Sequence, residues 1–121
     1  MSQVAEIATG FSKLMTEGRF LEAGERYWAQ DVRSVEPADL SPAIPAVVQG
    51  VDAVREKLRL WLDASSIDEF KIEGPFVTGD QFVVPMEMII VDRANGERRP
   101  FRETAVYTIR DGKVAEERYF Y

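Results

Sequence analysis

Residues 81–121 read QFVVPMEMIIVDRANGERRPFRETAVYTIRDGKVAEERYFY, and this stretch decides the fold. Asn95-Gly96 and Asp111-Gly112 are dipeptides of tight hairpin turns, and Thr78-Gly79-Asp80 marks another turn just ahead of them. The arms between these turns predict antiparallel strands at about 67–77, 81–92, 98–109 and 113–121. A two-residue loop at Asp111-Gly112 sets Arg110 opposite Lys113 and pairs Ile109 with Val114, Tyr107 with Glu116, Ala105 with Arg118 and Glu103 with Phe120. A two-residue loop at Asn95-Gly96 pairs Phe101 with Ile90, Glu103 with Met88, Ala105 with Met86, Tyr107 with Val84 and Ile109 with Phe82. Side chains alternate faces along a strand, and both hairpins put the same residues on one face. That face carries Phe82, Val84, Met86, Met88, Ile90, Phe101, Ala105, Ile109, Val114 and Phe120. The other carries Glu87, Arg102, Thr104, Thr108, Glu117 and Tyr119. For Phe70, Ile72 and Phe76 to join the apolar face, the turn near Gly79 must have odd length or a bulge must lie near Pro75, and one of these is expected.

Four polar residues fall on the apolar face: Glu103, Tyr107, Glu116 and Arg118. In this register Glu103 lies between Met88 and Phe120, where burial raises a carboxyl pKa unless a cation compensates. Arg118, one diagonal step away, is the expected cation, and Tyr107 faces Glu116. Apolar walls with a few convergent polar groups suit a small-molecule pocket. The same pattern has a purely structural counterpart, a closed Glu103–Arg118 ion pair. A bulge in the last strand would instead turn Glu116 to solvent and bring Glu117 inward.

Working outward from the meander, the first half reads as helix. Val4, Ile7, Ala8, Phe11, Leu14 and Met15 form one apolar stripe, ended by Gly18. A second amphipathic piece holds Phe20, Ala23, Gly24, Tyr27 and Trp28. A third helix opens at Gly50 with Val51, Val54, Leu58, Trp61 and Leu62 on one face. Val32–Glu36 and Ala46–Gln49 are short strand candidates. Three prolines make 37–45 irregular. Tyr27, Trp28 and Trp61 are the expected lid and wall of the pocket, with Met86, Met88, Glu116 and Phe120 lining it; plain core packing is the alternative use of these aromatics. On the outer sheet face, Val83, Ile89, Val106, Tyr119 and Tyr121 are candidates for a dimer patch. Glu97-Arg98-Arg99 reads as a solvated end, with Arg99 able to pair with Asp92.

The chain has 121 residues, so a single domain over 1–121 is expected. It carries 15 basic and 21 acidic residues, a net charge of −6, which disfavours nucleic acid and anionic membrane as partners. Without cysteine it has no thiolate site, and without histidine it has no imidazole base and no histidine-ligated metal. No cofactor and no metal are expected. Acid–base chemistry would fall to Asp, Glu, Tyr, Lys or water. The longest apolar stretch, Phe82 to Val91, is interrupted by Pro85 and Glu87 and is too short to span a bilayer. The sequence MSQVAEIATG lacks the pattern of a secretory segment, so a cytoplasmic location is expected.

Helices followed by a long meander suggest an α+β cone. The strings Glu73-Gly74-Pro75, Phe82-Val83-Val84, Glu103-Thr104-Ala105-Val106-Tyr107, Asp111-Gly112-Lys113-Val114, Asp31-Val32-Arg33-Ser34-Val35-Glu36 and Glu116-Glu117-Arg118-Tyr119-Phe120-Tyr121 resemble SnoaL-like proteins of the nuclear transport factor 2-like superfamily. The resemblance implies helices packed in the concave face of a curved, mostly antiparallel sheet, a conical pocket, and homodimerisation through the sheet. It places Glu36 near the last strand, towards Arg118, and it matches Glu36 and Glu103 to acidic motif positions. The superfamily includes ketosteroid isomerase-like enzymes, polyketide cyclases, epoxide hydrolases, dehydratases and non-catalytic binding modules; the histidine of cyclase-type relatives has no counterpart here. Two functions are therefore expected, beside a third in which the chain is an accessory or partner-binding domain working through its convex sheet face. One is a pocket for a small, largely apolar molecule, with cofactor-free isomerase, cyclase or dehydratase chemistry: Glu103 or Glu36 as base, Tyr107 and Arg118 stabilising an oxyanion. The other is a non-catalytic dimeric binding or assembly module with a structural Glu–Arg cluster.

Overall fold

The computed structural model describes residues 3–121. Helix α1 spans Gln3–Thr16, α2 Phe20–Tyr27 and α3 Val51–Ala64. The strands are β1 (Trp28–Val35), β2 (Val47–Gln49), β3 (Ser65–Ile72), β4 (Phe76–Thr78), β5 (Gln81–Asp92), β6 (Arg98–Arg110) and β7 (Lys113–Phe120). They form one curved, mixed sheet in the order β2-β1-β7-β6-β5-β3, with β4 also paired to β5. All pairings are antiparallel except β1 with β7.

The apolar stripes explain the packing. Ile7, Ala8, Phe11, Leu14 and Met15 of α1 are buried against Phe82, Val84, Met86, Met88, Ile90, Ala105, Tyr107, Ile109 and Val114 of the sheet. Phe11 sits at the centre, 4.8 Å from the Tyr107 ring and 6.0 Å from Phe82. Gly18, at φ 75°, ends α1: Arg19 N–H donates to Leu14 O and Gly18 N–H to Met15 O. The inner face is thus the expected one, except that Phe120 is 53% exposed on the outside.

Three register features differ from the expected ones. The β5–β6 connection is longer: Asp92 N–H donates to Glu97 O, and Phe101 pairs with Met88, Glu103 with Met86 and Tyr107 with Phe82. The shift is two residues, so every side chain keeps its face. The β6–β7 hairpin begins as expected, with Arg110 opposite Lys113 and Ile109 opposite Val114. A bulge then intervenes, and Thr108 pairs with Glu116, Tyr107 with Glu117 and Ala105 with Tyr119. This one-residue slip exchanges faces: Glu117 and Tyr119 turn inward, while Glu116, Arg118 and Phe120 turn outward. Third, the turn at Gly79 is even, with Thr78 opposite Gln81, and the expected irregularity falls at Glu73–Pro75, which contains a cis Gly74–Pro75 bond. It returns Ile72 to the inner face opposite Met86, and Phe70 packs on the core, but Phe76 pairs with Val83 and stays outside, 55% exposed.

Trp28 begins β1 rather than closing the second helix. Its ring lies back over α2, where a Cβ on Gly24 would stand 2.3 Å from the indole. Replacing Gly24 by Ala is therefore expected to destabilise the domain by about 1–3 kcal/mol through overpacking, outweighing the ~1 kcal/mol helix-propensity gain. Equilibrium denaturation measures it, and an unchanged midpoint would show that the indole can move aside freely.

Candidate functional site

Between α3 and the inner face of β5, β6 and β7 lies a chamber of about 200 Å³. Helix α3 supplies Val54, Lys57, Leu58 and Trp61, which recur at spacings of three and four and so share one face. Strand β5 adds Met86, Met88 and Ile90, and β6 adds Arg99, Phe101, Glu103 and Tyr107. Glu117, Tyr119 and Tyr121 come from the end of the chain, Phe70 and Ile67 from β3, and Glu36 and Leu40 from the segment after β1. The walls are mostly apolar; the polar groups converge at the end nearest β1 and β7.

There the side chains form a closed network. The Glu117 carboxylate is 6% exposed and accepts three hydrogen bonds. Trp28 Nε1 donates at 2.8 Å, Ser34 Oγ at 2.9 Å and Tyr119 Oη at 2.8 Å. Lys57 Nζ donates to Ser34 Oγ at 2.6 Å and to Glu36 Oε2 at 2.7 Å, an ion pair buried on both sides. Tyr121 Oη donates to Glu36 Oε1 at 2.8 Å. Two of the three acids in the chamber are thus saturated with donors, as buried charge requires.

Glu103 is the exception. Among the described residues it receives no hydrogen bond and makes no ion pair. Its carboxyl pKa is pushed up to about 8, chiefly by burial, then by repulsion from Glu36 and Glu117, with Lys57 opposing. Burial likewise drives the phenols of Tyr107 and Tyr119 well above their ordinary range. Tyr107 Oη donates to Met15 Sδ, at 3.6 Å, a weak acceptor that a ligand oxygen could replace, and the Tyr119 hydroxyl lies within hydrogen-bonding reach of Tyr107 Oη.

Of the residues expected to act, Glu103, Tyr107 and Glu36 meet at the chamber. Arg118 does not: the bulge turns it outward, where it pairs with Glu116 at 3.3 Å. The expected Glu103–Arg118 pair is therefore absent, and Glu36 faces Lys57 rather than Arg118. Of the expected lining residues, Trp61, Met86 and Met88 are in place. Glu116 and Phe120 face outward with Arg118. Tyr27 packs against Phe11, ring centroids 5.9 Å apart, and Trp28 lies beneath the chamber as a donor to Glu117. Tyr119 and Tyr121, expected on the outer face, belong to the site. Arg99 pairs across the strands with Ile90, not Asp92.

Lys57, Ser34, Glu117, Tyr119 and Tyr121 complete the site beyond the expected set. Lys57 carried a signal, a cation three residues after Val54 and four before Trp61, inside an apolar stripe. Glu117 enters by the alternative that a bulge in the last strand would bring it inward, and Tyr119 turns in with it; the alternation of so short a strand does not itself mark the bulge. Replacing Lys57 by Met would leave Glu36 buried without its cation, and is expected to destabilise the domain by about 3–5 kcal/mol. Urea denaturation measures this, and a loss below about 1 kcal/mol would mean that water reaches the pair.

A family model described as a SnoaL-like domain matches residues 2–121. The crystal structure of a Mesorhizobium loti protein, provisionally called a SnoaL-like polyketide cyclase with carbohydrate phosphatase in brackets, is 36% identical, covers all of both chains and has a TM-score of 0.90. A protein of unknown function from Burkholderia pseudomallei, described as NTF2-like, is 18% identical over 100% of this chain and 92% of its own, with a TM-score of 0.83. TerC, co-crystallised with polyporic acid, is 17% identical over 99% of this chain and 92% of its own, with a TM-score of 0.79. At such identity the last two show the fold alone. No curated protein sequence matches significantly. The helices inside the curved sheet, the chamber beneath α3 and the match along the chain agree: this chain belongs to the SnoaL-like family.

Proposed function

We propose that the chamber binds a small, largely apolar molecule bearing a carbonyl group, and that Glu103 acts as general base on the carbon beside it. One observation carries this reading: three carboxyl groups share the chamber, and of these only Glu103 has neither a hydrogen-bond donor nor an ion pair among the described residues. Environments that separate carboxyl groups in this way separate their roles. A base with a pKa near 8 is strong enough to remove an activated C–H proton at neutral pH. The enolate oxygen so formed needs donors. The Tyr107 hydroxyl, whose own proton goes to a weakly accepting thioether, is one. The third N–H of Lys57, beyond those given to Ser34 and Glu36, is another. The reaction class is isomerisation, cyclisation or dehydration next to a carbonyl, without a cofactor. SnoaL-like polyketide cyclase, the description carried by the 36% identical relative, fits that class. The cytoplasmic setting is part of the same proposal.

The outer sheet face favours a second property, self-association. Phe76 and Phe120 are 55% and 53% exposed there. Phe76 pairs with Val83, and Val83 with Val106, so the apolar surface is continuous across three strands. We propose a homodimer through this face, which would also serve a non-catalytic binding module. Sedimentation equilibrium at increasing concentration tests it, and a monomer throughout would remove the proposal.

The base is tested by deuterium exchange of the α-protons of cyclic and steroidal ketones, followed by NMR. Exchange catalysed by the protein is expected to rise with pH and level off near pH 8, and Glu103→Gln is expected to abolish it. Exchange persisting in that variant would sink the assignment, and a rate that instead falls above pH 8 in a dehydration assay would make Glu103 an acid. Stability gives an independent check. The folded-state pKa of Glu103 is raised, so its neutral form stabilises the fold below about pH 4.5, and that contribution is lost as pH rises towards 8. Glu103→Gln should match the parent near pH 4.5 and exceed it by roughly 3–5 kcal/mol above pH 8; parallel stability–pH curves would contradict the shift.

A further inference from the structure

The mouth of the chamber carries a cation without a carboxylate partner. Arg99 pairs across the strands with Ile90 on the inner face and lines the opening, with its guanidinium 5.5 Å from the Phe101 ring centroid. Among the described residues it has no ion pair and donates no side-chain hydrogen bond. Every other described arginine pairs with a carboxylate or, in the case of Arg93, donates to a backbone carbonyl. In a chain with 21 acidic residues and 15 basic ones, an unpaired arginine at the lip of an apolar chamber stands out from the surface average.

Its position along β6 completes the argument. Arg99, Phe101, Glu103 and Tyr107 are inward positions of one strand and all line the chamber. From the opening inward they run cation, aromatic ring, carboxyl, phenol. Arg99 and Glu103 are four residues apart, about 13 Å along an extended strand. The deep end carries no free positive charge to compete, since Lys57 is paired with Glu36. An elongated molecule lying along β6 therefore meets a guanidinium outside and a lone carboxyl inside, with Phe101 and Met88 between them.

We propose that the ligand of this chamber is an organic anion: Arg99 receives its carboxylate or equivalent acidic group at the mouth, and its apolar body extends inward towards Glu103. This names the substrate class of the site described above and rests on that reading. A guanidinium accepts a carboxylate through two parallel N–H donors, so it fixes the orientation of the ligand as well as its charge. The carbonyl end is thereby delivered to Glu103 and the charged end kept in water. A ligand of opposite polarity would bury its acid beside Glu36 and Glu117.

Isothermal titration calorimetry with octanoate and 1-octanol, which share a chain length and differ in charge, tests this at low ionic strength. The parent protein is expected to bind octanoate at least about tenfold more tightly than octanol, with the preference shrinking as salt is added. Arg99→Gln is expected to abolish the preference by weakening octanoate binding at least about tenfold more than octanol binding, and Arg99→Lys to retain part of it. Arg99 is exposed and holds no other side chain by hydrogen bond, so these variants should fold. Equal affinity for the two probes in the parent, or a preference that survives Arg99→Gln, overturns the anion assignment and leaves the chamber as a binding site. Binding of neither probe overturns the assignment together with the reading of the chamber.

Discussion

The buried carboxylate of Glu117 holds the site together. Its three donors come from the start of β1, the end of β1 and β7 itself, so one acidic group fastens the parallel β1–β7 pairing from the inside. Removing the carboxylate would leave an indole, a hydroxyl and a phenol buried without acceptors, each an unfavourable state. Ser34 then passes the constraint on: it donates to Glu117 and accepts from Lys57, and Lys57 holds Glu36. Two local features make this possible. The bulge in β7 aims Glu117 inward, and the bare Gly24 leaves room for the Trp28 ring to bring its N–H to the carboxylate.

The network sets the character of Glu103. Lys57 hydrogen-bonds Ser34 and Glu36, and the Tyr119 and Tyr121 hydroxyls are given to Glu117 and Glu36, so among the described residues no donor is aimed at the third acid. Burial and two neighbouring carboxylates then act on it in the same direction. The arrangement costs folding stability at alkaline pH and leaves one reactive group facing an apolar space. Arg99 at the mouth adds a direction to that space. The chamber is therefore polar along its length, although most of its wall is hydrocarbon.

The family match fits this picture without specifying the reaction. The 36% identical relative shares the architecture over its whole length, yet one fold of this kind hosts unrelated chemistries. What distinguishes this chain is its own choice of groups. It has no histidine, so any proton transfer in the chamber is left to carboxyl, phenol and ammonium groups.

The residues by themselves determined the hairpins, the apolar face and the place of Glu103 and Tyr107 upon it. Strand side chains repeat every two residues, so even a turn two residues longer than expected, as at 93–96, left every one of them on the same face. The helices were legible for the same kind of reason, since their stripes recur at spacings of three and four. A displacement of one residue has no such protection. The bulge in β7 exchanged Glu116 and Arg118 for Glu117 and Tyr119, and the break at Gly74–Pro75 parted Phe76 from Phe70 and Ile72. Only the tertiary structure decided those faces and joined Lys57 to Glu36, whereas the nearness of Glu36 to the last strand, which the family resemblance implied, is realised in the β1–β7 pairing. Those contacts link distant segments through packing and buried charge, which no local turn or periodicity records.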